Sequence, residues 1–305
     1  VRISDRRDQR QAAARKMFPH IEVTCDECSL TDPGVDIVLI ATPVFTHYEL
    51  AQAALLAGKH VWLEKPMTSN SDQAKELIDL AARKDRILLV DHTFLFTDAV
   101  NKMKSIISGG ELGEIYYYDS VRVNLGLLQH DVNVIWDLAP HDFSIMDYLL
   151  ERQPLALCAQ GRGHFNTGLE DVAYVTVFYE NNLMAHFHLN WLSPVKLRRT
   201  MVSGSKKMLV WDDLNAEEKI KIYDKGAEVT TLDGAYGIQA EYRWGDMTSP
   251  ALPTHEALDL EASYFMKCIE EGKQPHNNGE AGLRIVKLLE ATDRSLKEEG
   301  RMVEL

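Results

Sequence analysis

Through the first ninety residues, short apolar runs alternate with segments of helical periodicity. Strand-like runs fall at residues 1–4, 21–24, 36–41, 60–63 and 87–90. Helices are predicted at 8–18, at 46–57 with Gly58 just past its end, and from Asn70, Ser71 or Asp72 as cap to about Lys84. The run 36–41 is almost wholly apolar, the pattern of a strand covered on both faces. Short strands joined by helices imply a parallel sheet with right-handed crossovers.

After Asp91 the rhythm changes. Residues 97–107 read as a helix ending at Gly109-Gly110, 114–123 as a strand, and 136–150 as a helix. Strand-like segments follow at 156–161, 173–179, 184–190, 200–203, 207–211, 219–223 and 228–232, separated by turn residues such as Asn181-Asn182, Gly204-Ser205 and Lys225-Gly226. Helices at 256–271 and 279–299 close the chain. The expected fold is α/β followed by α+β. A Rossmann-type parallel sheet occupies residues 1–96, and an α+β domain with a large, mostly antiparallel sheet occupies 97–305.

Composition narrows the function classes. A formal charge of −13 over 305 residues argues against nucleic acid as the main partner, but not against a nucleotide held by local groups. No apolar run approaches the roughly 20 residues that cross a bilayer, so no membrane partner is expected. Four cysteines supply no disulfide framework, which makes a reducing cytoplasm the expected location. Cys25 and Cys28 have C-x-x-C spacing, yet Cys158 and Cys268 are isolated and no second ligand pair exists. They read as small residues near a strand end, His186 and His188 read as structural, and no metal site is expected.

Two patterns carry chemistry. Glu64-Lys65-Pro66 ends the apolar run His60-Val61-Trp62-Leu63, and Asp137 and His141 stand one helical turn apart at the head of a helix. A lysine can polarise an oxygen, a histidine can take its proton, and a carboxylate four residues earlier can orient that histidine. A dinucleotide-binding sheet normally carries G-x-G-x-x-G after its first strand; no such motif occurs in this sequence. Asp5, at the end of the first strand read here, stands where an acidic residue would accept bonds from the adenosine ribose. The expectation is that a strand, glycine loop and helix are missing ahead of Val1, and that these 305 residues alone bind dinucleotide poorly.

The stretches Ala41-Thr42-Pro43-x-x-x-His47, Gly58-Lys59-His60-Val61-x-x-Glu64-Lys65-Pro66 and Asp137-x-x-x-His141-Asp142, continuing into the helix from Gly282 to Gly300, resemble the glucose–fructose oxidoreductase, inositol dehydrogenase and rhizopine-catabolism (Gfo/Idh/MocA) family. That resemblance implies oxidation of a secondary alcohol of a sugar, cyclitol or sugar nucleotide with NAD, NADP being the other option. It places Asp5, Arg6, Thr42, Pro43, His47, Glu64, Lys65 and His92 beside the cofactor. His141 is implied as base, with Lys65 and Asp137 assisting, where the two domains meet. Segments 121–133 and 190–196 look most like members acting on nucleotide-linked amino sugars. This implies Arg122, Asn124, Asn133 and Lys196 as substrate contacts, although Arg122 on an alternating strand could equally face water. Asp142 and Asp147 are expected to support the helix. The family also implies a homo-dimer or homo-tetramer built on an exposed face of the second sheet. Two other readings share the scaffold: a nicotinamide-sensing regulator, and a glycosidase that oxidises its sugar transiently.

Overall fold

A computed structural model describes residues 1–25, 30–126, 129–165, 168–231 and 238–305, with side chains placed outside 227–241. Cys28 lies outside the described residues. The chain forms two compact units, Val1–Asp91 with Tyr264–Val286, and His92–Ser263 with Lys287–Leu305. Residues 264–286 thus return to the first unit, a feature that a linear division at residue 96 does not include.

The first unit contains β1 (Arg2–Ser4), α1 (Asp8–Met17), β2 (Glu22–Thr24), β3 (Ile37–Ile40), α2 (His47–Leu56), β4 (His60–Leu63), α3 (Ser71–Lys84) and β5 (Leu88–Val90). All strand pairs are parallel, β1 with β2 and β4 with both β3 and β5. The expected single sheet is two sheets among the described residues, β1-β2 and β3-β4-β5. No described strand pairs with the outer edge of β3, and Leu39 there is 58% exposed, which corrects the expectation of burial on both faces. β4 and β5 do fit it: Val61, Leu63, Leu88 and Val90 form a core with Ala51, Leu55, Leu77, Leu283 and Val286.

Local chemistry sets the element ends. Asn70 Oδ1 accepts the Gln73 backbone N–H and caps α3, and Gly58 takes φ 76° just beyond α2. The other edge of β5 is met by the returning segment, where Asn277 accepts from Val90 N and donates through Nδ2 to Val90 O. Gly282 permits the close approach that follows. A Cβ there would lie 2.7 Å from Val90 Cγ2 and 2.8 Å from Met67 Sδ.

The second unit holds α4 (Asp98–Ser108), β6 (Ile115–Leu125), α5 (Val134–Leu150), β7 (Ala156–Arg162), β8 (Val172–Phe178), β9 (Met184–Asn190), β10 (Leu192–Gly204), β11 (Met208–Asp212), β12 (Ile220–Thr231), β13 (Ile238–Thr248) and β14 (Val303–Glu304). Two helices, α6 (Ala257–Glu271) and α7 (Gly279–Lys297), run between the units in sequence. Among the described residues the nine strands order as β13-β12-β11-β10-β6-β9-β8-β7-β14. Every pair is antiparallel except β6 with β9. Period-two alternation buries Tyr118, Ser120, Ala173, Val175, Ala185 and Phe187 on one face. α5 packs there, with the Phe143 and Phe187 rings 4.9 Å apart at 81°.

Three strand expectations change. β10 begins at Leu192 rather than Thr200, because Ser193-Pro194 reads as a breaker but lies in an irregular stretch between the pairings of Leu192 and Leu197, where a missing N–H is tolerated. The two strands predicted around Lys225-Gly226 are one, β12, with a register shift between Tyr223 and Lys225. β13 lay outside the expectation, although Ile238, Ala240, Tyr242 and Trp244 alternate with polar residues along it; Tyr242 and Trp244 are exposed. No helix among the described residues is long and apolar enough to cross a membrane, and no described group of His, Cys, Asp or Glu has metal-binding geometry.

Candidate active site

In the first unit the candidate residues cluster at the carboxyl ends of parallel strands, where an open α/β sheet binds its ligand. Asp5 follows β1, and its Oδ1 accepts from Arg7 N at 2.8 Å and Arg7 Nε at 3.4 Å. The backbone N–H of Arg7, reinforced by its guanidinium, holds this carboxyl below the ordinary range, so Asp5 presents a fixed anion. Thr42 and Pro43 follow β3 and are exposed, the Thr42 hydroxyl accepting from Thr46 Oγ1 at 2.7 Å.

Glu64 and Lys65 follow β4 and are half-buried, and the Lys65–Pro66 peptide is cis. Glu64 Oε2 accepts the Lys65 N–H at 3.1 Å. Burial first, and the neighbouring Asp91 carboxylate second, raise the Glu64 carboxyl above its usual value. The chemistry of this set fits a dinucleotide, with a carboxylate for a ribose hydroxyl, an exposed hydroxyl, and a lysine beside a carboxyl.

His47 does not fit its expected role. The side chain is 1% exposed, with Nδ1 2.9 Å from Pro66 O and Nε2 2.7 Å from Thr42 O. Burial depresses its pKa more than these carbonyls raise it, and the Lys65 charge lowers it further. The ring therefore braces the turn after β3 against the turn after β4, with no nitrogen left for a cofactor atom.

In the second unit the site is built on the first turns of α5 and the facing strands. Asn133 caps α5: Oδ1 accepts from Ile135 N and Trp136 N, and Nδ2 donates to Glu170 Oε2 at 3.0 Å. Its amide is spent on the helix start, so the expected substrate contact becomes a positioning role. Asp137 and His141 share the face that follows. Asp137 Oδ2 accepts from the buried Trp191 Nε1 at 3.0 Å. His141 meets the edge of Phe94, ring centroids 5.1 Å apart, and its carbonyl accepts from Ser144 Oγ. His92 is buried.

Arg122 is also corrected. It is 3% exposed, and its Nε and one Nη donate to Asp142 Oδ2 at 2.5 Å and Oδ1 at 3.3 Å, while Ser120 Oγ donates to Oδ1 at 2.8 Å. The guanidinium spends its Nε and one Nη on both oxygens of a buried carboxylate, and its burial, not a substrate contact, is what the structure shows. The same pair shows that Asp142, expected to support the helix, does so by tying α5 to β6. The Arg122 Cζ lies 4.7 Å from the Phe94 centroid. Asn124 sits against Gly126, where a Cβ would lie 2.8 Å from its Nδ2, and Lys196 is exposed on β10.

Sequence reasoning missed Phe94, Trp191, Arg198 and Trp211. Arg198 Cζ lies 5.9 Å from the Phe94 centroid, and the Trp211 ring 6.4 Å from it. The available signal was period-two spacing: Arg198 stands two residues before the buried Thr200 on β10, hence on the same face.

Residues 1–92 match the family model described as the oxidoreductase family with an NAD-binding Rossmann fold, and residues 100–210 match the GFO/IDH/MocA C-terminal domain. The chain is 27% identical over 233 residues to the uncharacterized oxidoreductase YfiI of Bacillus subtilis, a match that takes in 67% of this chain and 58% of that protein. It is 27% identical over 315 residues to the scyllo-inositol 2-dehydrogenase (NADP(+)) IolW of Bacillus subtilis, covering 95% of this chain and 85% of that one. Among solved structures, the UDP-N-acetylglucosamine 3-dehydrogenase GnnA of Acidithiobacillus ferrooxidans superimposes with a TM-score of 0.81 at 23% identity, covering 97% and 89% of the two chains. At that identity the likeness speaks for the fold.

Proposed function

Because the chain belongs to the Gfo/Idh/MocA oxidoreductase family, with its NAD-binding Rossmann domain followed by the family's C-terminal domain, we propose that it oxidises a secondary alcohol of a sugar, cyclitol or sugar nucleotide. The observation that carries this reading is His141 on α5, set against Phe94, with Asp137 one turn earlier anchored by Trp191. Loss of a hydride from the carbinol carbon leaves an oxygen whose proton must go to a base within hydrogen-bond reach. His141 takes that proton, a role imidazole side chains commonly fill. Asp137 favours the imidazolium that forms. Lys65 stabilises negative charge developing on the alcohol oxygen.

When bound, NAD would supply the hydride acceptor, with Asp5, Arg6, Thr42, Pro43, Glu64 and Lys65 as the side chains that hold it. Asp5 favours NAD over NADP, because a 2′-phosphate would meet a carboxylate kept ionised by Arg7. The relatives named above act on scyllo-inositol and on UDP-N-acetylglucosamine by their names, which supports a polyol or sugar-nucleotide substrate. Self-association through the open face of the nine-stranded sheet is part of the same reading.

The test is nicotinamide reduction, followed by absorbance, across polyols, hexoses, hexuronates and sugar nucleotides. At least one should yield NADH. At NAD concentrations high enough to overcome weak dinucleotide binding, no absorbance change with any of them would count against a dehydrogenase.

A further inference from the structure

We propose that Arg198 is the docking group for an anionic substituent, a carboxylate or a phosphate, on the substrate that His141 deprotonates, so that acidic sugars are the preferred substrate class. This rests on the dehydrogenase reading for the identity of the ligand, but not for the existence of the anion site.

The β6–β10 register sets Arg198 directly opposite Arg122, which places two like charges face to face. Arg122 is neutralised by Asp142 at 2.5 Å. Arg198 is not comparably paired. Among the described residues its carboxylate partner is Asp213, at 3.5 Å, and Lys219 Nζ approaches the other oxygen of that group at the same 3.5 Å. Two cations therefore share one carboxylate at long range, and a net positive charge remains.

The donors around Arg198 point the same way. Its Nε is buried without a hydrogen-bond partner, and so is Trp211 Nε1. Leaving a buried donor unpaired is unfavourable, and an anion accepting from either one removes that cost. The Arg198 side chain is nonetheless 33% exposed, so a ligand can reach it. Arg198, Trp211 and His141 all lie against the Phe94 ring, at 5.9, 6.4 and 5.1 Å. One aromatic platform thus carries a base for the reacting hydroxyl and an unspent cation for a charged substituent on the same small ring.

The experiment is calorimetric titration of the full chain, with NAD present, using glucuronate, glucose 6-phosphate, inorganic phosphate and glucose. The acids should bind roughly tenfold or more tightly than glucose, and molar salt should reduce that preference. Glucuronate ahead of glucose 6-phosphate identifies a carboxylate site, and the reverse order a phosphate site. Arg198→Gln should abolish the preference while leaving glucose affinity nearly unchanged. Asp213→Asn, which frees Arg198 and Lys219 from their shared partner, should strengthen acid binding. Equal affinity for acid and neutral sugars, no saturable binding by any anion, or a preference that survives Arg198→Gln would each overturn the proposal. Acids that bind through Arg198 but yield no NADH would leave this site standing and remove the dehydrogenase reading. NADH formed equally well from neutral sugars would do the opposite.

Discussion

Arg122 Nε lies 2.5 Å from Asp142 Oδ2, and the two side chains are 4% and 3% exposed. This pair ties β6 to α5, the helix that carries His141. Removing one partner of a buried pair leaves an uncompensated charge at a cost of about 3–5 kcal/mol. Asp142→Ala should therefore lower the melting temperature by several degrees or more. Ser120→Ala, which removes one neutral donor from the same carboxylate, should cost about 1 kcal/mol. Calorimetric melting of the two variants checks both, and a substrate-binding role for Arg122 would instead show in KM with stability unchanged.

His47 links stability to pH. Burial makes protonation of this ring less favourable in the folded chain than in the unfolded chain, where a histidine takes up a proton near the ordinary value of 6.5. Its contribution is thus fully present above pH 6.5 and is lost as pH falls below it. Urea midpoints measured from pH 8 down to pH 5 should fall, and His47→Gln should flatten part of that slope. An unchanged slope would show that the brace does not titrate.

The bond from Trp191 Nε1 to Asp137 predicts a kinetic signature. Trp191→Phe keeps an aromatic ring but removes the donor, and should reduce kcat about tenfold with KM little changed, as expected of a group acting through Asp137. A loss confined to KM would instead place Trp191 in substrate binding.

Gly282 tests the packing beneath Lys65-Pro66. Its missing Cβ leaves room for Val90 and Met67, and Gly282→Ala should destabilise the first unit by about 1–3 kcal/mol through overpacking. Chemical denaturation reads this directly.

Much of this was legible in local patterns. β4 falls where the run His60-Val61-Trp62-Leu63 precedes Glu64-Lys65-Pro66, and Asn70 could be read as a cap from its position before a helical run. The same signal was available at Asn133, but a short polar residue serves a cap and a ligand equally well, so the sequence left its role open. What remained hidden depends on register and on distant partners. Arg122 meets Asp142 twenty residues away, and only strand pairing sets Arg198 beside Arg122. His47 reads as a cofactor residue until two carbonyls, from Thr42 and Pro66, are found on its ring.

The central claim is that His141 takes the substrate proton. It is tested by the single-turnover rate of NADH formation for the wild type and His141→Asn at saturating NAD and substrate. The account predicts a fall of about 100-fold or more, with circular dichroism and melting temperature unchanged. A variant rate close to that of the wild type would contradict it.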